Sequence, residues 1–275
     1  MTVHRLTKRF ARLAEQGRPG FVAYVMAGDP DAGATARVLE GLPAAGADVI
    51  ELGFPFSDPM ADGPAIQKAG LRALASRTTL AGTLKLAADF RAKDAETPLI
   101  LMGYLNPIET MGLETFAARA AAAGVDGAIV VDVPPEEDDA LRAAFAAHEL
   151  ALIRLATPTT DEKRLPAVLD GVSGFVYYVS VAGVTGDKAI DVGPVAAAVA
   201  RLKAATSLPI AVGFGIKSAE AAAATAAAAD AVVVGSAIVE AMAGAHEAGT
   251  DPAEAALALT RTLAAAAHGA KGAAP

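Results

Sequence analysis

Cysteine is absent from the 275-residue sequence, and this absence excludes several kinds of site. Without a thiol the chain has no disulfide framework, no thiolate nucleophile and no cysteine-based metal site. Histidine is also scarce, because only His4, His148, His246 and His268 are present, far apart in the sequence. We therefore predict that the protein holds no metal ion.

An excess of positive charge is lacking too, since the formal net charge is −8. A nucleic acid or an anionic membrane surface is therefore not an expected partner. Every window of about 18 residues is interrupted by charge, glycine or proline, so no membrane span is predicted and we expect a soluble protein. An anionic ligand would have to be held by local backbone amides.

The N-terminal segment, residues 2–16, places basic residues among apolar ones at helical spacing. This composition is compatible with a transit peptide, but a small-residue cleavage site is missing. A helix that caps one end of a barrel is the favoured interpretation.

Short apolar runs alternate with alanine-rich helical segments along the whole chain. Each run is apolar almost without interruption, as expected for parallel strands that are buried on both faces. We predict eight strands, at residues 21–26, 48–52, 98–102, 127–131, 151–155, 174–179, 208–213 and 231–235.

Eight strand-then-helix units favour a closed (β/α)8 barrel over an open sheet. The final helix has a clear start, because Asp251 precedes Pro252 and Glu254 lies in the first turn. No linker divides the chain. We predict a single-domain α/β TIM barrel with an N-terminal capping helix over residues 1–268, followed by a disordered tail at 269–275.

Two carboxylates flank a proline- and glycine-containing loop after the second predicted strand. Glu51 ends the apolar run, and Asp62 follows eleven residues later. Carboxyl ends of barrel strands carry catalytic groups, and burial there raises the pKa of a glutamate toward the range useful for proton transfer. Asp58 competes with Asp62, since both could simply belong to turns. Position alone leaves the two aspartates equally eligible.

Glycine-rich loops follow the sixth, seventh and eighth predicted strands, at residues 181–186, 213–216 and 235–238. Glycine lets backbone amides converge on an anion, and a helix that begins at Ser236 would direct its N-terminus to the same point. We predict a phosphate site there, although barrel turns also use glycine for purely structural reasons.

Apolar and aromatic residues are expected around the same end of the barrel. Strand alternation sends either Tyr177 or Tyr178 inward. The pocket predicted for a flat aromatic group contains Tyr24, Phe54, Leu101, Tyr104, Ile129 and Val233.

Residues 50–63 resemble the signature of the tryptophan synthase alpha subunit. The resemblance continues through 28–30, 104–107, 132–134, 183–186, 213–216 and 235–239, and so spans almost the whole chain. It implies a cytoplasmic lyase that cleaves indole-3-glycerol phosphate into indole and glyceraldehyde 3-phosphate by a retro-aldol reaction, without a cofactor of its own. Glu51 matches the catalytic glutamate and Asp62 the aspartate that holds the ring N–H.

The resemblance also implies where substrate and partner bind. It places the phosphate at Gly186, Gly215, Gly235 and Ser236, and Tyr177 beside the glutamate. The partner would be a pyridoxal-phosphate-containing beta subunit in an αββα heterotetramer. The docking loop would be 54–60, with Phe54, Pro55, Phe56, Asp58 and Pro59. Residues 181–189 would form a lid whose Thr185 contacts Asp62 on closure.

Two positions depart from the family pattern. Tyr24 stands where well-known members have phenylalanine, which adds a hydroxyl to the pocket, and Val181 stands where some have arginine.

Two alternatives remain. One is another phosphate-binding barrel enzyme, such as an isomerase or indole-glycerol-phosphate synthase, but the predicted strands lack the inward lysine that a synthase needs. The other is a catalytically silent subunit that regulates a partner enzyme, although both carboxylates are present.

Overall fold

The computed structural model describes residues 5–180, 192–213 and 215–270. Nine strands form one parallel sheet, with order β5-β4-β3-β2-β1-β9-β8-β7-β6. The strands are β1 Gly20–Met26, β2 Val49–Gly53, β3 Leu99–Gly103, β4 Gly127–Val130, β5 Ala151–Leu152, β6 Arg154–Ala156, β7 Val176–Val179, β8 Ile210–Gly213 and β9 Ala231–Val234.

The sheet curves into a nearly closed barrel, which confirms the predicted fold class. The predicted fifth strand is divided at Ile153 into β5, which pairs with β4, and β6, which pairs with β7. This division gives nine strands where the apolar pattern predicted eight. The Ile153 N–H still donates to the Ala128 carbonyl at 3.1 Å, so the break does not detach the two pieces.

Helices surround the barrel on the outside. They are α1 Arg5–Glu15, α2 Ala32–Gly41, α3 Pro64–Ala75, α4 Leu80–Arg91, α5 Leu105–Met111, α6 Leu113–Ala122, α7 Asp139–Ala147, α8 Leu165–Leu169, α9 Gly193–Ala205, α10 Ala219–Ala226, α11 Ser236–Glu247 and α12 Pro252–His268, with a 3-10 turn at Pro135–Glu137. None of these helices is long and apolar enough to cross a membrane.

Local capping signals explain several helix starts. The Asp31, Thr79 and Ser218 side chains accept hydrogen bonds from the first turns of α2, α4 and α10. Asp251 caps α12 as the sequence predicts, accepting the Ala253 N–H at 2.9 Å with Pro252 at the first helical position. Residues 271–275 of the expected tail lie outside the described residues.

Helix α1 closes the end of the barrel at which the strands begin, here called the lower face. Its apolar side chains Leu6, Phe10 and Leu13 belong to the same buried cluster as the inward residues of the strands. The Phe10 and Phe175 ring centroids are 5.6 Å apart. The capping helix predicted from the N-terminal pattern is thus confirmed, within the described Arg5–Glu15.

The lower face also carries a repeated hydrogen-bond pattern between neighbouring strands. The Asp48 side chain accepts the Phe21 N–H at 2.9 Å, while the Asp48 N–H donates to the Phe21 carbonyl at 2.8 Å. The same two-way bridge recurs for Asp126 with Leu99, Asp230 with Ile210 and Ser173 with Leu152. These bridges tie the strands together in pairs at their amino ends.

Candidate active site

Glu51 lies on β2 with its side chain directed into the barrel. It is 1% exposed, and its Oε2 atom has no hydrogen-bond partner in the described part of the chain. Burial in this apolar interior raises the pKa of Glu51 to about 8. At neutral pH the side chain is therefore mostly protonated, and it can donate a proton as a general acid.

Asp62 lies half-buried in the loop between β2 and α3. Burial raises its pKa, and a hydrogen bond from Tyr104 offsets part of that rise. Asp58, in contrast, is exposed and contacts the neighbouring Ser57 hydroxyl. The tertiary structure therefore separates the two aspartates that sequence position left equal.

Tyr104 anchors the loop that carries Asp62. Its hydroxyl accepts the Ala61 N–H at 3.0 Å, and its ring lies 5.4 Å from the Phe56 ring, centroid to centroid. The Gln67 side chain donates to the Asp62 carbonyl at 2.9 Å. These contacts hold the backbone on both sides of the aspartate, which limits the positions that its carboxylate can adopt.

Helix α3, which begins directly after this loop, is fixed to the segment that follows β1 by a partly buried ion pair. Arg72 donates two hydrogen bonds to the Asp29 carboxylate, at 2.6 and 2.8 Å. Burial raises the pKa of Asp29 despite these bonds. Sequence reasoning missed Arg72. No local pattern pairs it with Asp29, because the two residues are 43 positions apart in the chain.

The walls above the barrel core come from inward-facing strand residues. Ile129, Val233 and Tyr177 face the interior, and Tyr178 packs outside with the helices. Leu101 does not face this pocket, because it belongs to the layer between strands and helices. Alternation along β3 instead turns Met102 inward. The further interior residues that the sequence analysis missed are Val131 and Leu155.

Two tyrosines lie across glycine positions at the carboxyl ends of strands, here called the upper face. A Cβ atom built on Gly53 would lie 2.3 Å from the Tyr24 hydroxyl, and one built on Gly213 would lie 2.5 Å from the Tyr177 hydroxyl. Only glycine leaves room for these rings. The tyrosine and glycine positions are therefore matched to one another.

The predicted phosphate loops also lie at the upper face where the structure describes them. Gly235 precedes α11 as its N-cap without a side-chain hydrogen bond, and Ser236 is the first helical residue. Gly215 has a φ of +74°, a conformation that favours glycine. Thr185, Gly186 and the rest of the expected lid at 181–189 lie outside the described residues.

The loop at residues 54–60 has a buried beginning and an exposed end. Phe54 is 2% exposed and packs over Gly103, where a Cβ atom would come within 2.3 Å of its ring. Pro55 is buried as well, and Phe56 and Pro59 are half-buried. Asp58 is exposed and Met60 is 80% exposed. The outer part of the loop is thus the part that a partner can touch.

Within residues 5–180, 192–213 and 215–270, no group of three or more histidine, aspartate or glutamate side chains is arranged to hold a metal ion. The described residues of the upper face offer carboxyl, hydroxyl and backbone amide groups.

Comparison with known proteins identifies the family of the chain. The family model for "Tryptophan synthase alpha chain" matches residues 10–268. The tryptophan synthase alpha chain of Caulobacter sp. (strain K31) is 61% identical over 247 residues, covering 90% of each chain. That of Phenylobacterium zucineum (strain HLK1) is 60% identical over 251 residues, covering 91% of each chain.

Solved structures give the same answer. Tryptophan synthase subunit alpha from Legionella pneumophila superposes with a TM-score of 0.90 at 42% identity, covering 96% of this chain and 98% of that one. The alternatives of another phosphate-binding barrel enzyme or a silent regulatory subunit are not favoured. The chain belongs to the tryptophan synthase alpha chain family, lyases that cleave indole-3-glycerol phosphate in tryptophan biosynthesis.

Proposed function

We propose that Glu51 is the acid and base of the retro-aldol cleavage in this chain. The single observation that carries this proposal is its buried, inward and unpaired carboxyl group among the described residues. Glu51 gives its proton to the indole carbon that bears the glycerol chain. Its carboxylate then takes the proton of the adjacent chain hydroxyl. The carbon–carbon bond breaks, the aldehyde forms, and Glu51 regains its proton.

Asp62 accepts the hydrogen bond of the indole ring N–H in this proposal. Protonation of the ring carbon places positive charge on the ring nitrogen, and a carboxylate at that position stabilises the intermediate. Tyr104 and the α3 helix hold the loop of Asp62 in place, which keeps this carboxylate ready before the substrate arrives. Tyr104 thus acts on the substrate through Asp62.

The flat indole ring fits between the apolar walls of the upper face. Tyr24, Ile129, Tyr177 and Val233 remain the proposed pocket residues, and Met102 replaces Leu101 because of its inward orientation. The open N-terminus of α11 at Gly235 and Ser236, together with Gly215, supports a phosphate site. Gly186 and Thr185 complete this proposal from outside the described residues.

A beta subunit is the proposed partner, in an αββα heterotetramer located in the cytoplasm. The family needs no cofactor in its alpha chain, and pyridoxal phosphate is expected in the beta subunit. The exposed part of the 54–60 loop, with Asp58 and Met60, is the proposed contact. Phe54 and Pro55 support this contact from beneath. Nucleic acid and membrane binding are not part of the proposal.

Indole release tests the proposed reaction. The purified chain is incubated with indole-3-glycerol phosphate, with and without a beta subunit, and indole and glyceraldehyde 3-phosphate are measured separately. We expect equal amounts of both products and a faster rate with the beta subunit. Absence of both products under both conditions would refute the proposed activity of this chain.

A further inference from the structure

The Tyr24 hydroxyl is a buried hydrogen-bond donor without a strong acceptor. The side chain is 6% exposed, and the partner found for its hydroxyl in the described residues is the Met26 sulfur at 4.0 Å. A thioether sulfur is a weak acceptor. A buried phenol that lacks a strong acceptor costs stability. This hydroxyl is therefore available to donate to a neighbouring group that becomes charged only during the reaction.

Glu51 is the neighbouring group that lacks a hydrogen-bond donor. Tyr24 on β1 is the register partner of Glu51 on β2, and both side chains face the interior. The hydroxyl itself lies against Gly53, the next inward position above Glu51 on the same strand. The Glu51 Oε2 atom lacks a partner among the described residues. A donor and an acceptor thus stand on adjacent strands, with the donor hydroxyl one inward position above the glutamate.

Four further titratable groups lie around this pair: Asp29, Asp62, Tyr104 and Tyr177. Burial raises the pKa of Tyr24 well above its usual value, and electrostatic interactions with the acidic groups Asp62, Glu51, Tyr104 and Asp29 raise it further. Burial also raises the pKa of Tyr177, and the charge of Glu51 adds to that rise. Both phenols therefore remain protonated, so each can only donate to the glutamate. Tyr24 is the one on the adjacent strand.

We propose that the Tyr24 hydroxyl donates a hydrogen bond to the Glu51 carboxylate during the part of the reaction in which Glu51 has given up its proton. Tyr24 is then a positioning residue: its own proton stays on its oxygen, and it stabilises the anionic half of the glutamate's cycle. This inference rests on the proposed role of Glu51. It gives a function to the hydroxyl by which Tyr24 departs from phenylalanine.

The test compares Tyr24→Phe with Tyr177→Phe, and with Tyr178→Phe, a buried tyrosine of the outer layer, as the matched control. In the native chain kcat should fall above pH about 8 as Glu51 ionises. Loss of a hydrogen bond to the charged form raises a carboxyl pKa. Tyr24→Phe should therefore move this limb upward by about one pH unit and lower kcat about three- to tenfold, with KM within about twofold.

A direct titration of the Glu51 carboxyl group tests the same hydrogen bond without relying on enzyme activity. The side-chain carboxyl carbons of 13C-labelled glutamate are followed by NMR against pH, and the Glu51 signal is assigned by its loss in Glu51→Gln. Its midpoint should rise by about one unit in Tyr24→Phe and stay in place in Tyr178→Phe. Thermal unfolding checks that each variant is folded.

An unmoved midpoint in folded Tyr24→Phe overturns the inference, as does a raised KM with an unchanged pH limb, which would mean that the hydroxyl only contacts substrate. A shift of the acidic limb instead would assign the hydrogen bond to Asp62, and a shift in Tyr177→Phe alone would assign it to Tyr177. Failure of the proposed function looks different, because Glu51→Gln would then stay active.

Discussion

Asp48 and Glu51 stand three residues apart and are almost equally buried. Their environments nevertheless shift their pKa values in opposite directions. Burial alone would raise the pKa of Asp48, but hydrogen bonds from His268, Arg18 and the Phe21 N–H outweigh it and lower the pKa to about 2. Burial raises the pKa of Glu51 to about 8 because nothing offsets it. The difference between the two carboxyl groups lies in their partners.

A similar contrast in ion-pair partners separates Asp126 at the lower face from Asp62 at the upper face. At the lower face, Asp126 receives ion pairs from Arg5 at 2.9 Å and Arg91 at 3.0 Å in addition to the Leu99 N–H. At the upper face, Asp62 has a raised pKa and no ion pair in the described residues. Paired carboxylates contribute to stability, whereas an unpaired buried carboxyl is retained at a cost in stability where chemistry requires it.

The strongest test of this comparison is the activity of Glu51→Gln. Glutamine keeps the size of the side chain but cannot give or take a proton. We expect kcat for indole release to fall about 10²–10⁴-fold, while the affinity for the beta subunit stays unchanged. Turnover within tenfold of the native chain would show that the unpaired upper-face carboxyl is not the catalyst.

Asp62→Asn should have the next largest effect. The amide still occupies the loop position that Tyr104 supports, but it carries no charge to balance the ring nitrogen. We expect a loss of about 10²-fold, or about 3 kcal/mol of transition-state stabilisation, in kcat/KM for indole-3-glycerol phosphate. Asp58→Asn on the same loop serves as the control and should retain near-native kinetics of the isolated chain.

The lower face should respond in stability and not in activity. Asp48→Asn removes the charge that His268, Arg9 and Arg18 share, so we expect a loss of about 2 kcal/mol in unfolding free energy at pH 7. Because the pKa of Asp48 is lowered in the folded chain, its ionised carboxylate stabilises the folded state above pH about 4. This stabilisation disappears as the pH falls toward 2. Denaturant titrations at several pH values measure this.

Asp89→Asn is the matched control for that variant. Asp89 pairs with Lys85 on the exposed surface of α4, and such pairs contribute roughly 0–1 kcal/mol. An equal loss of unfolding free energy in both variants would show that the partners of Asp48 add no more stability than an exposed ion pair does.

Glu51→Gln should also stabilise the folded chain, in a way that depends on pH. The unfolded glutamate ionises near its usual pKa of about 4.5, whereas the folded one holds its proton to about 8. The cost of burying Glu51 therefore begins above pH about 4.5 and is complete above about 8. We expect a gain of about 4 kcal/mol at pH 8 and almost none at pH 4. A pH-independent difference would point to packing instead.

The smallest expected effect concerns the exposed end of the upper-face loop. Met60→Ser should weaken binding to the beta subunit by about 1 kcal/mol, since the apolar contact that Met60 makes in the proposed complex is lost. Leu71→Ser, at another exposed apolar position on α3, is the control. Isothermal titration calorimetry compares the two, and equal affinities for both variants would remove Met60 from the proposed contact.

Much of the fold followed from the sequence because its signals are local. Strands buried on both faces produce apolar runs, and their regular alternation with helices predicted the barrel. The start of α12 at Asp251 and Pro252 and the capping role of α1 were also predicted. The division of the fifth strand at Ile153 was not, since it depends on how β5 and β6 meet two different neighbours.

For the same reason, the sequence did not predict which strand residues face the barrel interior and which face the helices. A run that is apolar at every position carries no alternation, so Leu101 and Met102 looked alike, and only the register of β3 with β2 assigned them to opposite layers. The family resemblance separated Asp62 from Asp58 in advance. The residues alone did not, because the contrast between them comes from Tyr104, more than forty residues along the chain.

The sequence by itself determined the barrel and its capped end, and it placed Glu51 at a strand end with two candidate aspartates after it, because periodicity and turn residues act over short distances. Tertiary structure decided the proton affinities. Asp48 owes its low pKa in part to His268, 220 residues away, and Glu51 owes its high pKa to the strands that close around it. Charge stabilisation depends on neighbours in space, and the barrel brings those neighbours together from both ends of the chain.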